Sequence, residues 1–158
     1  HEGEVSTILH DEISEGDMIN LSAPVGGFSI ENTERPQLFI GSGVGMTPLV
    51  SMFKKAASLN VPTQMIQAVV TEDERPFAQK LDSITDNYEQ AQLHLHVKDK
   101  EGYLEAKELE QYLSEQPEIY ICGGTKFLHS IINSLKELNY DMNHVHFETF
   151  IPRLSVQV

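Results

Sequence analysis

Apolar runs of strand length alternate with segments of helical periodicity along most of this chain. Residues 37–40 and 64–70 are apolar and partly β-branched, a composition that favours strands. Three further runs are predicted as strands, at residues 93–97, 118–122 and 144–148. The pattern therefore predicts five short strands.

Apolar residues recur at helical spacing between these runs. Thr47 can cap the first helix with Pro48 at its first position, where a missing N–H costs little, and residues 60–62 end it. Three further helices are predicted over residues 75–88, 104–113 and 125–138.

This alternation is typical of an α/β fold. It predicts a five-stranded parallel sheet in the order 3-2-1-4-5 with helices on both faces. Residues before Arg35 do not join the alternation. The polar segment 31–36 ends in Pro and is interpreted as a linker, preceded by a helix over 3–10 and a strand over 17–23.

Composition narrows the possible partners. Acidic residues outnumber basic ones 24 to 11, and the formal charge of -13 argues against nucleic acid and anionic membranes. A bound phosphate would need a local device such as a helix N-terminus. Cys122 is the only cysteine, which fits a reducing cytoplasm, and no apolar run approaches the ~18 residues of a membrane helix.

The glycine-rich segment 41–48, Gly-Ser-Gly-Val-Gly-Met-Thr-Pro, follows the first strand and opens the first helix. Glycines let a backbone approach phosphate closely, and the free N–H groups of a helix N-terminus hold an anion. The segment is therefore either a dinucleotide pyrophosphate site or a turn that packs helix on strand.

A second glycine motif, Cys122-Gly123-Gly124, ends the fourth strand. In the predicted strand order, the first and fourth strands flank the point where ligands bind beyond the strand ends. Both strands therefore bring glycines to one edge of the sheet. Cys122 itself is interpreted as a small buried residue, because no partner base is evident from its spacing.

Two other features have open interpretations. The tail Phe147-Glu148-Thr149-Phe150 either covers a flat ring or is a hydrophobic strand end. Histidines alternate on the third and fifth strands at positions 94, 96, 144 and 146, so each pair lines one face. No neighbouring ligands complete a convincing set, and no metal site is expected.

The two glycine motifs and the aromatic tail together resemble the ferredoxin-NADP reductase-like superfamily in order and rough spacing. The stretch 3–10 followed by 17–24 is similar to the close of the flavin-binding barrel in flavohaemoglobins, the nitric oxide dioxygenases. The ending at Phe150-Ile151-Pro152 resembles theirs too. The resemblance implies residues 1–34 as the end of an antiparallel FAD-binding barrel plus linker, and 35–158 as the NAD(P)-binding domain.

The resemblance also implies roles for individual residues. The flavin pyrophosphate would be contacted by Gly3, Val5 and Ser6. The nicotinamide dinucleotide would be cradled by Gly41, Gly43, Gly45, Met46, Thr47 and Pro48. Cys122, Gly123 and Gly124 would lie near the nicotinamide, and Glu148 and Phe150 would approach the reacting rings. Hydride would pass from NAD(P)H to flavin, and electrons onward, in flavohaemoglobins to a haem.

The sequence departs from the superfamily's pattern, and one segment bears on the choice between NADH and NADPH. The superfamily's flavin-binding Arg-x-Tyr-Ser motif and a globin domain are absent from the sequence, and Gly124 stands where Pro is frequent. The acidic run 72–74, beginning with Glu72, follows the second strand, which meets the adenine ribose in this fold. Because it would repel a 2′-phosphate, NADH is expected rather than NADPH, unless Arg75 turns inward.

The alternative is a non-catalytic nucleotide-binding module. With most of a flavin site missing from the sequence, the chain alone would bind nucleotide and catalyse nothing. The expected partners are a nicotinamide dinucleotide, a flavin, and a haem or other acceptor domain outside the chain.

Overall fold

A five-stranded parallel sheet forms the centre of the molecule. The computed structural model describes residues 4–23 and 25–149. The sheet order is β3-β2-β1-β4-β5, which confirms the predicted order 3-2-1-4-5. In chain order, the strands are β1 (Gln37–Ser42), β2 (Thr63–Val69), β3 (Ala91–Val97), β4 (Glu118–Gly123) and β5 (Val145–Thr149).

Helices cover both faces, as the sequence predicts. They are α1 (Glu4–Asp11), α2 (Met46–Ser58), α3 (Ala78–Asn87), α4 (Lys98–Glu101), α5 (Ala106–Leu109) and α6 (Thr125–Glu137). Phe39 of β1 packs in a core with α2 and α3, whereas Leu38 and Ile40 pack in a second core with α5 and α6. A strand buried on both faces needs apolar residues in succession, which is why β1 is a continuous apolar run.

Two helices begin elsewhere than predicted. Gly45, not Thr47, caps α2, and Thr47 lies inside the helix with its hydroxyl donating to the Val44 carbonyl at 2.8 Å. The helix predicted from residue 75 begins only at Ala78, since Pro76 disfavours helical backbone at the residue before it. Phe77 has a φ of 59° and is 42% exposed, so it does not join the buried face.

The predicted helix over 104–113 is broken. Its regular part is only α5, followed by a 3-10 turn at Glu110–Tyr112. The side chain of Glu105 and that of Glu108 cap the start reciprocally, which fixes α5 after Leu104. The short helix α4 was not predicted from the sequence.

The amino-terminal segment contains the predicted helix but not the predicted strand. Residues 17–23 form no strand, and Met18 and Leu21 are 97% and 82% exposed. A strand requires a neighbour that exchanges backbone hydrogen bonds, and no described strand pairs with this segment. The expectation of a strand at 17–23 is therefore wrong for the described chain.

The segment just before β1 packs on the sheet. The ring of Phe28 meets Tyr120 of β4 edge-on, with centroids 6.1 Å apart. The backbone N–H of Glu31 donates to the Tyr120 hydroxyl at 3.0 Å. The Gln37 amide donates to the backbone carbonyls of Asn32 and Arg35. The segment 28–36 therefore packs on the same face of the sheet as α2 and α3.

Candidate nucleotide site

The two glycine motifs meet at the carboxyl edge of the sheet. Gly41 of β1 lies opposite Cys122 of β4 in the parallel register. After β1, a 3-10 turn at Gly43–Gly45 leads into α2, and after β4, Gly124 caps α6. The predicted juxtaposition of these motifs is therefore confirmed.

Gly45 and Gly41 are required for packing. A Cβ atom on Gly45 would lie 2.2 Å from the Cys122 carbonyl oxygen, and one on Gly41 would lie 2.6 Å from the Met46 sulfur. The side chain of Met46 is itself fully buried. These residues hold the loop against β4 and do not present side chains to a ligand.

Gly43 and Gly124 are open to a ligand. Gly43 has a φ of +54°, a conformation that disfavours other residues, and a Cβ atom there would meet nothing within 4 Å. A Cβ atom on Gly124 would likewise meet nothing within 4 Å. Each of the two precedes a helix of 13 residues, so both helix N-termini face this edge. Thr47 is exposed and Pro48 half-buried beside them.

A cavity of about 630 Å³ opens at the same edge. Its wall combines Ser42 and Gly43, the ends of β2 and β3, the loop 102–105 and the first two turns of α6. Pockets for small molecules and cofactors occupy roughly 300–1,000 Å³. The cavity is therefore large enough to hold part of a dinucleotide.

The cavity wall carries charges of both signs. Lys98 and Lys126 supply the cations, and Glu74 and Glu105 the carboxylates. The Lys98 ammonium lies 4.7 Å from the centroid of the Tyr103 ring, which is exposed at the cavity mouth. Of these five residues only Glu74 was singled out from the sequence, as part of the acidic run 72–74, because only the fold brings the other four together with it.

Two charged residues named from the sequence lie beside the cavity wall. The Lys100 ammonium is 2.5 Å from the Glu72 carboxylate, and its hydrogen bond and charge lower the pKa of Glu72. Arg75 donates to the carbonyl oxygen of the Gln67 side chain at 3.3 Å and to Asp82 at 3.0 Å. Both side chains are therefore engaged with protein partners.

Cys122 and Glu148 are neighbours across β4 and β5. Burial raises the pKa of the Cys122 thiol to about 11, and the nearby Glu148 carboxylate adds to the increase. The thiol is therefore protonated at neutral pH and is no activated nucleophile. Glu148 is exposed at the same edge.

The predicted flavin contacts lie apart from this cavity or outside the described residues. Val5 and Ser6 are exposed on the first turn of α1. Gly3 and Phe150 fall outside the residues that the structure describes. Their roles stay predictions.

The histidines on β3 have separate partners. His94 lies 3.0 Å from the Gln64 amide oxygen and its ring packs on Tyr112. His96 is buried, with Nε2 3.0 Å from the Gly102 carbonyl oxygen. Across residues 4–23 and 25–149, no group of three or more His, Cys, Asp or Glu side chains is arranged to hold a metal ion.

The histidines on and before β5 share one carboxylate. The Nδ1 atom of His144 and the Nε2 atom of His146 lie 2.8 and 2.9 Å from the two oxygens of Glu118. Arg35 donates to Nε2 of His144 at 2.5 Å, so the proton of that imidazole is on Nδ1 and is donated to Glu118. Burial raises the pKa of Glu118, but the two histidine hydrogen bonds outweigh it and lower the pKa.

Comparison with known proteins assigns the nucleotide-binding part of the chain to a family and identifies relatives along its whole length. The family model of the oxidoreductase NAD-binding domain matches residues 39–132. A flavohemoprotein of Bacillus cereus is 30% identical over 99% of this chain, which covers 43% of that protein. A flavohemoprotein of Halalkalibacterium halodurans is 31% identical over 95% of this chain, which covers 40% of it. The chain thus spans less than half the length of these curated relatives.

Solved structures share the fold. The flavohem-like FAD/NAD-binding domain of nitric oxide dioxygenase from Vibrio cholerae has a TM-score of 0.84 and 27% identity, covering 95% of this chain and 65% of that chain. A flavohemoglobin from Malassezia yamatoensis has a TM-score of 0.76 at 19% identity, covering 95% of this chain and 41% of that chain. In the described part of the chain, no helix combines the length and apolarity needed to cross a membrane.

Proposed function

Because this chain belongs to the oxidoreductase NAD-binding domain family, we propose that it is the nicotinamide-nucleotide-binding part of a flavin-dependent reductase. The dinucleotide binds along the carboxyl edge of the sheet, and hydride passes from NADH to FAD. The division into the end of a flavin-binding barrel with its linker, residues 1–34, and a nucleotide domain, 35–158, is part of this proposal.

The observation that carries the proposal is the cavity at the carboxyl edge of the sheet, lined by Ser42 and Gly43 after β1 and by the start of α6 after β4. Gly43 and Gly124 offer open backbone beside two helix N-termini, where free N–H groups and the helix dipole favour an anion. Lys126 adds a positive charge in the first turn of α6. These groups supply the local positive charge and N–H donors that a pyrophosphate needs in order to bind to an acidic protein.

The remaining residues position the cofactors. Hydride transfer between the nicotinamide and flavin rings is chemistry that the bound cofactors supply. The protein contributes the relative positioning of the two rings and the electrostatic surroundings. Cys122 and Glu148, paired across β4 and β5 at the carboxyl edge of the sheet, are proposed to lie near the nicotinamide. Contacts of Val5 and Ser6 with the flavin pyrophosphate belong to the same proposal.

A variant that fills the cavity tests nucleotide binding. Ser130 lines the cavity from α6, whereas its neighbour His129 is exposed. We expect Ser130→Tyr to weaken NADH binding at least about tenfold, the equivalent of losing one good interaction, and His129→Tyr to leave it unchanged. Saturation-transfer NMR and calorimetry on the full chain measure both. Equal NADH affinity in wild type and Ser130→Tyr would place the nucleotide elsewhere.

We propose NADH as the preferred cofactor. The carboxylates of Glu74 and Glu105 on the cavity wall would repel a 2′-phosphate and can accept a hydrogen bond from a 2′-hydroxyl. Glu72, which is paired with Lys100, is also proposed to contribute to the preference for NADH. The hydrogen bonds of Arg75 to Gln67 and Asp82 keep its charge occupied.

Substitution of one carboxylate tests this preference. Glu74→Gln is expected to narrow the ratio of NADPH to NADH dissociation constants by about threefold to tenfold, since one repulsive charge is removed. Asp73→Asn is the matched control, because Asp73 lies in the same 3-10 turn but outside the cavity wall. Tighter binding of NADPH than NADH to the wild type would contradict the proposal.

The final electron acceptor is proposed from the relatives. Flavohemoproteins match nearly all of this chain, which supports haem as the acceptor, with nitric oxide dioxygenation as the activity. Stopped-flow spectra of the full-length protein with NADH provide the test. Reduction of flavin without reduction of any haem would assign a different acceptor.

A further inference from the structure

His96 stands out as a buried imidazole in the wall of the cavity. It is the second-last residue of β3, and its side chain is 8% exposed. Its Nε2 atom lies 3.0 Å from the Gly102 carbonyl oxygen, and its Nδ1 atom lies 3.7 Å from the Glu101 carboxylate. A carbonyl oxygen only accepts, so Nε2 carries the proton and donates it to Gly102.

This hydrogen bond fixes the segment that follows β3. Glu101 uses its other oxygen to accept from the backbone N–H of Val97 at 2.9 Å, and Gly102 N–H donates to the Lys98 carbonyl at 2.8 Å. Gly102 has a φ of +83°, where the chain turns sharply. The direction of the chain beyond Gly102 therefore depends on how its carbonyl group is held.

That direction decides the shape of the cavity. Tyr103, Leu104 and Glu105 all line it directly after Gly102. Leu104 is buried, while the ring of Tyr103 is 67% exposed at the mouth. A shift of Gly102 would move the ring of Tyr103, the apolar side chain of Leu104 and the carboxylate of Glu105 together.

We propose that His96 is a positioning residue of the nucleotide site: its imidazole holds the Gly102 carbonyl and thereby sets the wall at residues 102–105 against which the dinucleotide binds. The nucleotide part of this inference rests on the proposed function. The part that concerns the loop does not.

His94 provides an internal control. It lies two residues earlier on the same face of β3 and is also partly buried, but its partners are Gln64 and Tyr112, outside the cavity wall. Loss of either imidazole perturbs β3, whereas only loss of His96 frees Gly102.

The first test compares His96→Ala, His96→Gln and His94→Ala in the full chain without nucleotide. We expect amide exchange at residues 102–105 to accelerate about tenfold in His96→Ala, the value of one hydrogen bond. His96→Gln can place an amide N–H near the position of Nε2 and is expected to restore protection. Unchanged exchange in His96→Ala, or equal acceleration in His94→Ala, would overturn the inference.

The second test measures NADH affinity in the same variants. The dissociation constant is expected to rise about tenfold in His96→Ala, to return toward wild type in His96→Gln and to stay unchanged in His94→Ala. An effect of His96→Ala that His96→Gln does not rescue contradicts positioning by this hydrogen bond. If the wild type binds no NADH, the proposed function fails, and the exchange data still decide whether His96 holds the wall.

A third measurement needs no variant. Long-range proton–nitrogen NMR spectra of the wild type distinguish the two imidazole tautomers, and we expect His96 to carry its proton on Nε2. A proton on Nδ1 alone would remove the donor to Gly102 and overturn the inference even if the His96 variants fail to fold.

Discussion

Gly43 and Gly45 lie two residues apart and serve different physical purposes. Gly45 allows the loop to touch β4, since a Cβ atom there would lie 2.2 Å from the Cys122 carbonyl oxygen. Gly43 instead needs its positive φ, and the space beside it is open. The sequence motif predicted one role for both, because a run of letters does not reveal which glycine faces protein and which faces ligand.

Gly45→Ala is expected to destabilise the fold by about 1–3 kcal/mol, the usual cost of overpacking. Gly124→Ala is the control, since its φ of −67° suits any residue and a Cβ atom there meets nothing within 4 Å. Urea unfolding of both variants measures the difference. Equal stability of Gly45→Ala and wild type would show that the loop does not press on β4.

Cys122 is expected to resist alkylation in the folded chain. Its side chain is fully buried, and burial raises the pKa of the thiol to about 11. Only the thiolate reacts, so iodoacetamide at pH 8 should modify folded protein far more slowly than urea-unfolded protein. Mass spectrometry of the time course measures this, and similar rates in both states would contradict the burial of Cys122.

At the scale of elements, one carboxylate ties β5 to the rest of the sheet. Glu118, the first residue of β4, accepts hydrogen bonds from His144 and His146 at the start of the edge strand. Arg35, just before β1, donates to His144. The strand that carries Glu148 toward the site is therefore anchored at its opposite end.

Glu118→Gln is expected to lower the free energy of unfolding by roughly 1–3 kcal/mol at pH 7, since it weakens two hydrogen bonds to a charged group. The pKa of Glu118 is lower in the fold than its ordinary value of 4.5. Its stabilisation is therefore present above pH 4.5 and is lost as pH falls through the lowered value.

Denaturant unfolding between pH 7 and pH 3 provides the measurement. The difference between wild type and Glu118→Gln should shrink below pH 4.5, where the ordinary carboxyl is protonated. Glu137→Gln, at an exposed position of α6, is the control and should show little difference at any pH. A gap that stays constant into acid would rule out the charged form of Glu118 as its origin.

The elements themselves were largely predictable, and the exceptions have physical causes. Strands β1, β2 and β4 are nearly continuous buried runs, and burial on two faces leaves a clear apolar pattern. The strand expected at 17–23 failed because pairing depends on a neighbour and not on the segment itself. The hydrogen bond that His144 donates to Glu118 joins residues far apart in the sequence. The cavity wall likewise combines residues from distant segments, which no local pattern encodes.

At the scale of the whole molecule, acidity and nucleotide binding oppose each other. The chain has a formal charge of -13, and the proposed ligand carries negative phosphates. Lys98 and Lys126 act locally at the cavity, whereas the net charge acts over the Debye length, ~30 Å at 0.01 M salt and ~8 Å at 0.15 M. Salt therefore screens long-range repulsion before it screens close contacts.

The association rate of NADH is accordingly expected to increase by about twofold or more as salt rises from 0.01 to 0.15 M. Stopped-flow measurements that follow NADH fluorescence test this. The association of adenosine, which is uncharged, followed by competition with NADH, serves as the control and should depend little on salt. A fall in the NADH rate would mean that the local cations outweigh the net charge.

The seating of residues 28–36 on the sheet has a consequence for proteases. Cleavage requires a segment to leave its surroundings and extend into an enzyme's active site. Residues 13–23 are neither helix nor strand and are almost entirely exposed, whereas Phe28 and the Glu31 backbone are held by Tyr120. A glutamate-specific protease should therefore cut after Glu15 well before it cuts after Glu31. The expected product begins at residue 16 and keeps the segment 28–36 packed on Tyr120.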